Sequence, residues 1–137
     1  MNISSEVAWL ESLARKRRVL IVDDDEMVVS VLTKFCEYMN LEVDKCLNAE
    51  CAIKLYNERS PYDAILIDLN LGAVGGGEVF KLIRSNDRDT PIAIISGFIT
   101  DDVANKLMQL GPVTFIKKPI GASSPHLSGF FRSIGVI

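Results

Sequence analysis

Four short polar clusters each follow a β-rich apolar run. Asp23-Asp24-Asp25, with Glu26 next, follows Val19–Val22. Asp68-Leu69-Asn70 follows Ala64–Ile67, Ser96-Gly97 follows Ile92–Ile95, and Lys117-Lys118-Pro119 follows Val113–Ile116. Brought to one place, Asp23, Asp24 and Asp68 would put three negative charges in one crevice. Like charges a few Å apart repel by about 4 kcal/mol per pair at an intermediate dielectric. Lys118 offsets one charge and a divalent cation offsets the other two. Oxygen ligands with no His or Cys nearby favour Mg²⁺ or Mn²⁺ over zinc. Asp24 or Asp25 also suits the N-cap of a helix that starts there. Capping accounts for one carboxylate of the run and not for Asp68.

The elements that must position these residues are legible in the hydropathy pattern. A fifth β-rich run, Val43–Leu47, joins the four above. The first, third and fourth runs of the chain are continuously apolar, as in parallel strands buried on both faces. Between them lie helical stripes: Met27, Val28, Val31, Leu32, Phe35 and Met39; Ala52, Ile53, Leu55 and Tyr56; Val79, Phe80, Leu82 and Ile83; Val103, Leu107 and Leu110; Leu127, Phe130, Phe131 and Ile134. Asn40, Gly111 and Ser60-Pro61 read as helix stops. Strict β-then-α alternation predicts an α/β fold with a doubly wound five-stranded parallel sheet. Ligands of such sheets bind beyond the strands' carboxyl ends, where the polar clusters fall.

The chain has 137 residues, 48% hydrophobic and 24% charged, which suits one globular domain. Residues 1–17 stand outside the alternation as an N-terminal extension. Val7, Leu10 and Leu13, with Trp9 beside them, have helical spacing ahead of the basic run Arg15-Lys16-Arg17-Arg18. The expected domain is 18–137. A net charge of −3 gives no electrostatic reason to bind nucleic acid or anionic lipid. No apolar run approaches the roughly 18 residues of a membrane span, and Met1–Leu10 does not read as a signal peptide. Cys36, Cys46 and Cys51 lack zinc spacing and read as free thiols in a reducing compartment, hence a cytoplasmic protein.

The chain resembles the receiver domain of two-component response regulators, stand-alone or excised from a larger protein. The resemblance runs from about Arg18 to the end. It rests on Val22-Asp23-Asp24-Asp25, Tyr62–Asn70, Pro91–Gly97 and Phe115–Pro119, in that order. It implies a flavodoxin-like (βα)5 fold with strand order 2-1-3-4-5. It implies a phosphorylation-activated switch in a phosphorelay, Mg²⁺-dependent (or Mn²⁺-dependent), and not an enzyme beyond its own phosphorylation and dephosphorylation. By the resemblance, Asp68 takes a phosphoryl group from a sensor histidine kinase or a histidine phosphotransfer protein. Asp24, Asp68 and the backbone carbonyl of Asn70 would hold the metal, with Asp23 acting through water. Lys118, directly before Pro119, would pair with Asp68 and then with the phosphoryl oxygen. Ser96 and Phe115 would be the switch residues. Asn70 and Phe98 would flank the path of hydrolytic water. The output surface, and the surface for a homodimer, would be the face of the fourth helix, fifth strand and fifth helix.

The segment after Asp68 departs from the family. The usual Pro four residues on and the acid before the loop Gly are missing from Gly72-Ala73-Val74-Gly75-Gly76-Gly77, although the Gly match survives at Gly76. A Gly-rich loop costs more entropy to order. This loop also lacks the Lys of a P-loop. An Asp-nucleophile phosphatase is the alternative, but it needs an acid where Asn70 stands. A flavin-binding domain would meet Asp23–Glu26 where its phosphate belongs.

Overall fold

The computed structural model describes residues 6, 7, 10, 16–72, 74–121 and 124–137. The five parallel strands are β1 (Arg18–Val22), β2 (Glu42–Cys46), β3 (Ala64–Asp68), β4 (Ile92–Ser96) and β5 (Thr114–Lys117). They form one sheet in the order β2-β1-β3-β4-β5. The connecting helices are α1 (Glu26–Tyr38), α2 (Ala49–Arg59), α3 (Gly76–Arg84) and α4 (Asp101–Leu110), and α5 (Pro125–Ser133) follows β5.

The order explains why the central strands are apolar without alternation. Along β1, Val19 and Ile21 face a layer made by Val29, Leu32 and Phe35 of α1 with Leu127, Phe130 and Phe131 of α5. Leu20 and Val22 face the other layer, with Ala52 of α2, Val79, Phe80 and Ile83 of α3, and Leu107 of α4. Both faces are covered, so neither set of positions can be polar. The edge strand β2 is only partly buried and reads Glu42-Val43-Asp44-Lys45-Cys46.

Helix ends follow their local chemistry. Asp25, Asn48, Thr100 and Ser124 cap α1, α2, α4 and α5, each side chain accepting a backbone N–H of the first turn; such a cap contributes about 1 kcal/mol. Asn40, with φ of 62°, and Gly111, with φ of 154°, turn the chain after α1 and α4. Ser60 ends α2.

Three expectations are corrected. Met27, placed on the core stripe of α1, is 78% exposed, and Val29 and Cys36 are buried instead. Apolar residues lie on both sides of this helix, so spacing alone did not select the face. Leu82 and Val103 are likewise exposed. Third, Cys46 and Cys51 are not free thiols: they form a disulfide, with Cα atoms 5.5 Å apart. The turn from β2 into α2 folds the end of the strand against the first helical turn, which sets that distance within the span of a disulfide. Only Cys36 is free, and it is buried. The cysteines therefore give no ground for a reducing compartment. Of the N-terminal extension, Glu6, Val7 and Leu10 are helical and exposed; Trp9 and Leu13 lie outside the described residues. No helix among the described residues is long and apolar enough to cross a membrane.

Candidate functional site

Strand order reverses between β1 and β3, and their carboxyl ends open a crevice there. Asp68 is the last residue of β3, and Asp23 follows β1 directly. Both are buried, while Asp24 is exposed. Carboxylate oxygens of Asp23, Asp24 and Asp68 all lie within 4.8 Å of one another.

Backbone pairing beyond the strands fixes this rim. Asp23 N–H donates to the Cys46 carbonyl at 3.1 Å, Leu69 N–H to the Ile95 carbonyl at 3.2 Å, and Lys118 N–H to the Ser96 carbonyl at 2.8 Å. The candidate site residues Asp23, Asp68 and Lys118 thus hang from the sheet and not from free loops. The Asp25 side chain caps α1 through Met27 N–H, and Asp23 Oδ1 accepts the Asp25 N–H at 2.9 Å. The capping role falls to Asp25, which leaves Asp24 with no hydrogen bond or ion pair among the described residues.

Lys118 reaches across from β5. Its Nζ lies 3.0 Å from Asp23 Oδ2 and 3.3 Å from Asp68 Oδ1. The approach to Asp23 Oδ2 is not aligned for a hydrogen bond, so the contact is an ion pair. Burial lowers the Lys118 pKa, but contact with Asp23 and the charge of Asp68 outweigh it, and the ammonium is held above its ordinary value. Asp68 moves the other way from a typical paired carboxylate. Burial first, then the Asp23 charge, pushes its carboxyl up; Lys118 and the Asn70 backbone N–H pull it down without prevailing. One ammonium does not neutralise this crevice.

The donor set suits a hard divalent cation. It is all oxygen, carries excess negative charge, includes a free carboxylate at Asp24, and opens to solvent there.

Gly76 has a specific steric reason to be glycine. A Cβ there would collide with the Asp68 carbonyl oxygen and carbon, and would meet Ile67 Cγ2 at 2.9 Å. Its N–H donates to the Leu69 carbonyl at 2.9 Å. The start of α3 therefore packs directly on the backbone of the candidate nucleophile. Gly75 caps α3 without a side-chain bond, and the Leu69–Gly76 bond joins the two ends of the segment that lacks the expected Pro and acid.

Ser96 and Phe115, the expected switch residues, line one cavity. Ser96, 4% exposed, donates its hydroxyl to the Phe98 carbonyl at 2.7 Å and accepts the Phe98 N–H at 3.2 Å. Its hydroxyl is thus committed to the loop after β4. Phe115 is half-buried, and with Ser96, Phe98 and Ile99 it lines a cavity of about 300 Å³. The Phe98 ring is 78% exposed beside that loop.

Residues 19–126 match the family model described as "Response regulator receiver domain". The chain belongs to that family. Receiver domains are phosphorylation switches of two-component signalling and are generally not classical enzymes. This receiver is 29% identical over 102 residues to the transcriptional regulatory protein PrrA of Mycobacterium leprae, covering 74% of this chain and 43% of that protein. It is 28% identical over 113 residues to the sensory/regulatory protein RpfC of Xanthomonas campestris, covering 80% of this chain and 15% of the other. The chain spans less than half the length of these curated relatives. Among solved structures it resembles a CheY-like receiver domain protein from Methanospirillum hungatei, with a TM-score of 0.80, 19% identity, and coverage of 88% and 95% of the two chains. It also resembles the response regulator TrrA of Thermotoga maritima in complex with Mg²⁺-BeF, with a TM-score of 0.75, 20% identity, and coverage of 86% and 98%. The expected fold, with its strand order, is borne out.

Proposed function

We propose that this receiver accepts a phosphoryl group on Asp68, with a divalent cation at Asp23, Asp24, Asp68 and the Asn70 carbonyl. The observation that carries this is the meeting of three carboxylates with one ammonium at the β1/β3 reversal. The donor is a phosphohistidine on a sensor histidine kinase or a histidine phosphotransfer protein; the kinship to a sensory protein and to a transcriptional regulator supports either arrangement. Residues 18–137 form the switch, and residues 1–17 an extension to it.

A carboxylate is a weak nucleophile, and phosphoryl transfer depends on positioning and on stabilising charge at the transferred oxygens. The cation, when bound, supplies positive charge to those oxygens and offsets the mutual repulsion of the carboxylates. The chain supplies the rest. The pairing of β3 with β4 and the Leu69 N–H bond to the Ile95 carbonyl hold Asp68 in place. Lys118, already within 3.3 Å of Asp68 Oδ1, offers its ammonium to a phosphoryl oxygen. Asp23 keeps Lys118 charged and aimed. The product adds about −1.5 to −2 charge beside a buried strand. Ser96 answers that charge by leaving the Phe98 peptide and donating to the new oxygens, and Phe115 moves into the cavity that lines Ser96. This two-state element biases the face of α4, β5 and α5, where Val103 and Met108 are exposed. That face is the output surface and the one a second copy would use.

Incubation with Mg²⁺ and acetyl phosphate, followed by intact mass, tests the assignment. A gain of one phosphoryl mass that disappears with a chelator is expected. No gain at saturating cation would overturn it.

A further inference from the structure

The Cys46–Cys51 bridge lies one residue contact away from the acidic crevice. Cys46 ends β2 and is 2% exposed, and its carbonyl accepts the Asp23 N–H at 3.1 Å. Cys51 is half-buried in the first turn of α2, where its own N–H is held by Asn48 Oδ1 at 2.8 Å. The bridge thus clamps the carbonyl that fixes the backbone of Asp23. Asp23 in turn holds Lys118 at 3.0 Å. β2 is an edge strand whose partner among the described residues is β1, with Cys46 in register with Val22. Without the bridge, the carboxyl end of that strand has fewer restraints than any central strand.

We propose that Cys46 and Cys51 form a redox input: the oxidised bridge holds Asp23 in place for cation binding, and reduction weakens the site. This rests on the cation site proposed above. The reductant is a small-molecule thiol. Its thiolate attacks the more accessible Cys51 sulfur, the Cys46–Cys51 bond breaks, and Cys46 leaves as a thiolate that takes a proton from water. A second thiolate attacks the mixed disulfide, giving the small-molecule disulfide and a Cys51 thiolate that is protonated in turn. Two electrons pass to the protein. The third thiol does not compete, because burial and the neighbouring Glu37 push Cys36 up to about 12.

The test is a calorimetric Mg²⁺ titration of the full chain, before and after reduction by a thiol, with Cys51→Ser alongside. Alkylation under denaturing conditions counts free thiols in each sample. One modified cysteine is expected before reduction and three after. Mg²⁺ affinity should fall about tenfold on reduction, the low end for partners that position a metal ligand. Cys51→Ser should match the reduced protein and ignore the thiol. By linkage, saturating Mg²⁺ should then lower the disulfide's potential by about 30 mV for that tenfold change. Equal Mg²⁺ affinity in the two states, or three alkylated cysteines in protein equilibrated with oxidised glutathione, overturns the redox input alone. Absence of Mg²⁺ binding in both states overturns the cation site and the input with it.

Discussion

Two rims of the same sheet hold buried or half-buried carboxylates, and they are built to opposite ends. At the amino-terminal rim, Asp87 precedes β4 and accepts four donors: the N–H groups of Asp89 and Thr90, the Tyr56 hydroxyl at 2.6 Å and the Thr90 hydroxyl. Burial raises its pKa, but those donors together hold the carboxyl well below the usual range. Nearby, Arg84 is 4% exposed with its guanidinium on the carbonyls of Pro112 and Asp87. The charges of Asp87 and Arg84 are both met by hydrogen-bond partners. At the carboxyl rim, Asp68 is raised by burial and by Asp23, and three carboxylates share one ammonium. A saturated network specifies structure; an unsaturated one is ready for a cation and a new charge.

The largest contrast should appear in cation affinity. Among the described residues Asp24 has no hydrogen bond or ion pair, whereas Asp23 has Oδ1 on the Asp25 N–H and Oδ2 facing Lys118. Asp24→Ala should therefore lose about 100-fold in Mg²⁺ affinity and Asp23→Ala about 10-fold, near 2.7 and 1.4 kcal/mol. Asp87→Ala should lose none. Calorimetry measures all three, and equal tight binding by the two crevice variants would erase the distinction.

Stability should rank the rims in reverse. Asp87→Ala strands the hydroxyls of Tyr56 and Thr90 and should cost about 2 kcal/mol. Because the folded pKa of Asp87 is depressed, its stabilisation is present above the unfolded value near about 3.9 and fades as pH falls below it. Asp68 has the opposite sign. Its folded pKa is raised, so its stabilisation is present below the unfolded value and lost as pH rises through the folded one. Without divalent cation, Asp68→Asn should thus raise stability by about 1 kcal/mol at neutral pH, as removal of a strained functional group often does, and the gain should shrink in acid. Denaturant unfolding at pH 3 and pH 7 reads both signs.

The smallest effect concerns the life of the phosphorylated state. Phe98 stands exposed beside the Ser96 loop. If its ring screens the phosphoryl group from water, Phe98→Ala shortens the half-life several-fold, about 1 kcal/mol in barrier. Decay followed by intact mass after donor removal at fixed Mg²⁺ gives the number; an unchanged half-life means the ring guards nothing.

The carboxyl rim was readable because its geometry follows from topology. Parallel strands buried on both faces write themselves as apolar runs, and every run ends at the same edge, so Asp23, Asp68, Ser96 and Lys118 meet. The amino-terminal rim was not readable. Arg84 sits in the last turn of α3, a place where a cation commonly lies in solvent and complements the dipole. Its burial depends on Gly111, where a Cβ would lie 2.7 Å from Arg84 Cδ. Cys46 and Cys51 were missed for a related reason: their pairing is set by how β2 turns into α2, not by a spacing that names a motif. Met27 and Val29 show that an apolar helix carries too little contrast to mark its buried face. Gly76 was noticed as a match, while its cause, contact with the Asp68 backbone, belongs to the tertiary structure.

The central claim is that Asp68, and no other carboxylate of the crevice, takes the phosphoryl group. Borohydride reduces an acyl phosphate to the alcohol, so a phosphorylated aspartate becomes homoserine and its position can be read by peptide mass mapping. After acetyl phosphate and Mg²⁺, homoserine should appear at position 68 alone. Homoserine at position 23 or 24, with Asp68 intact, would contradict the account.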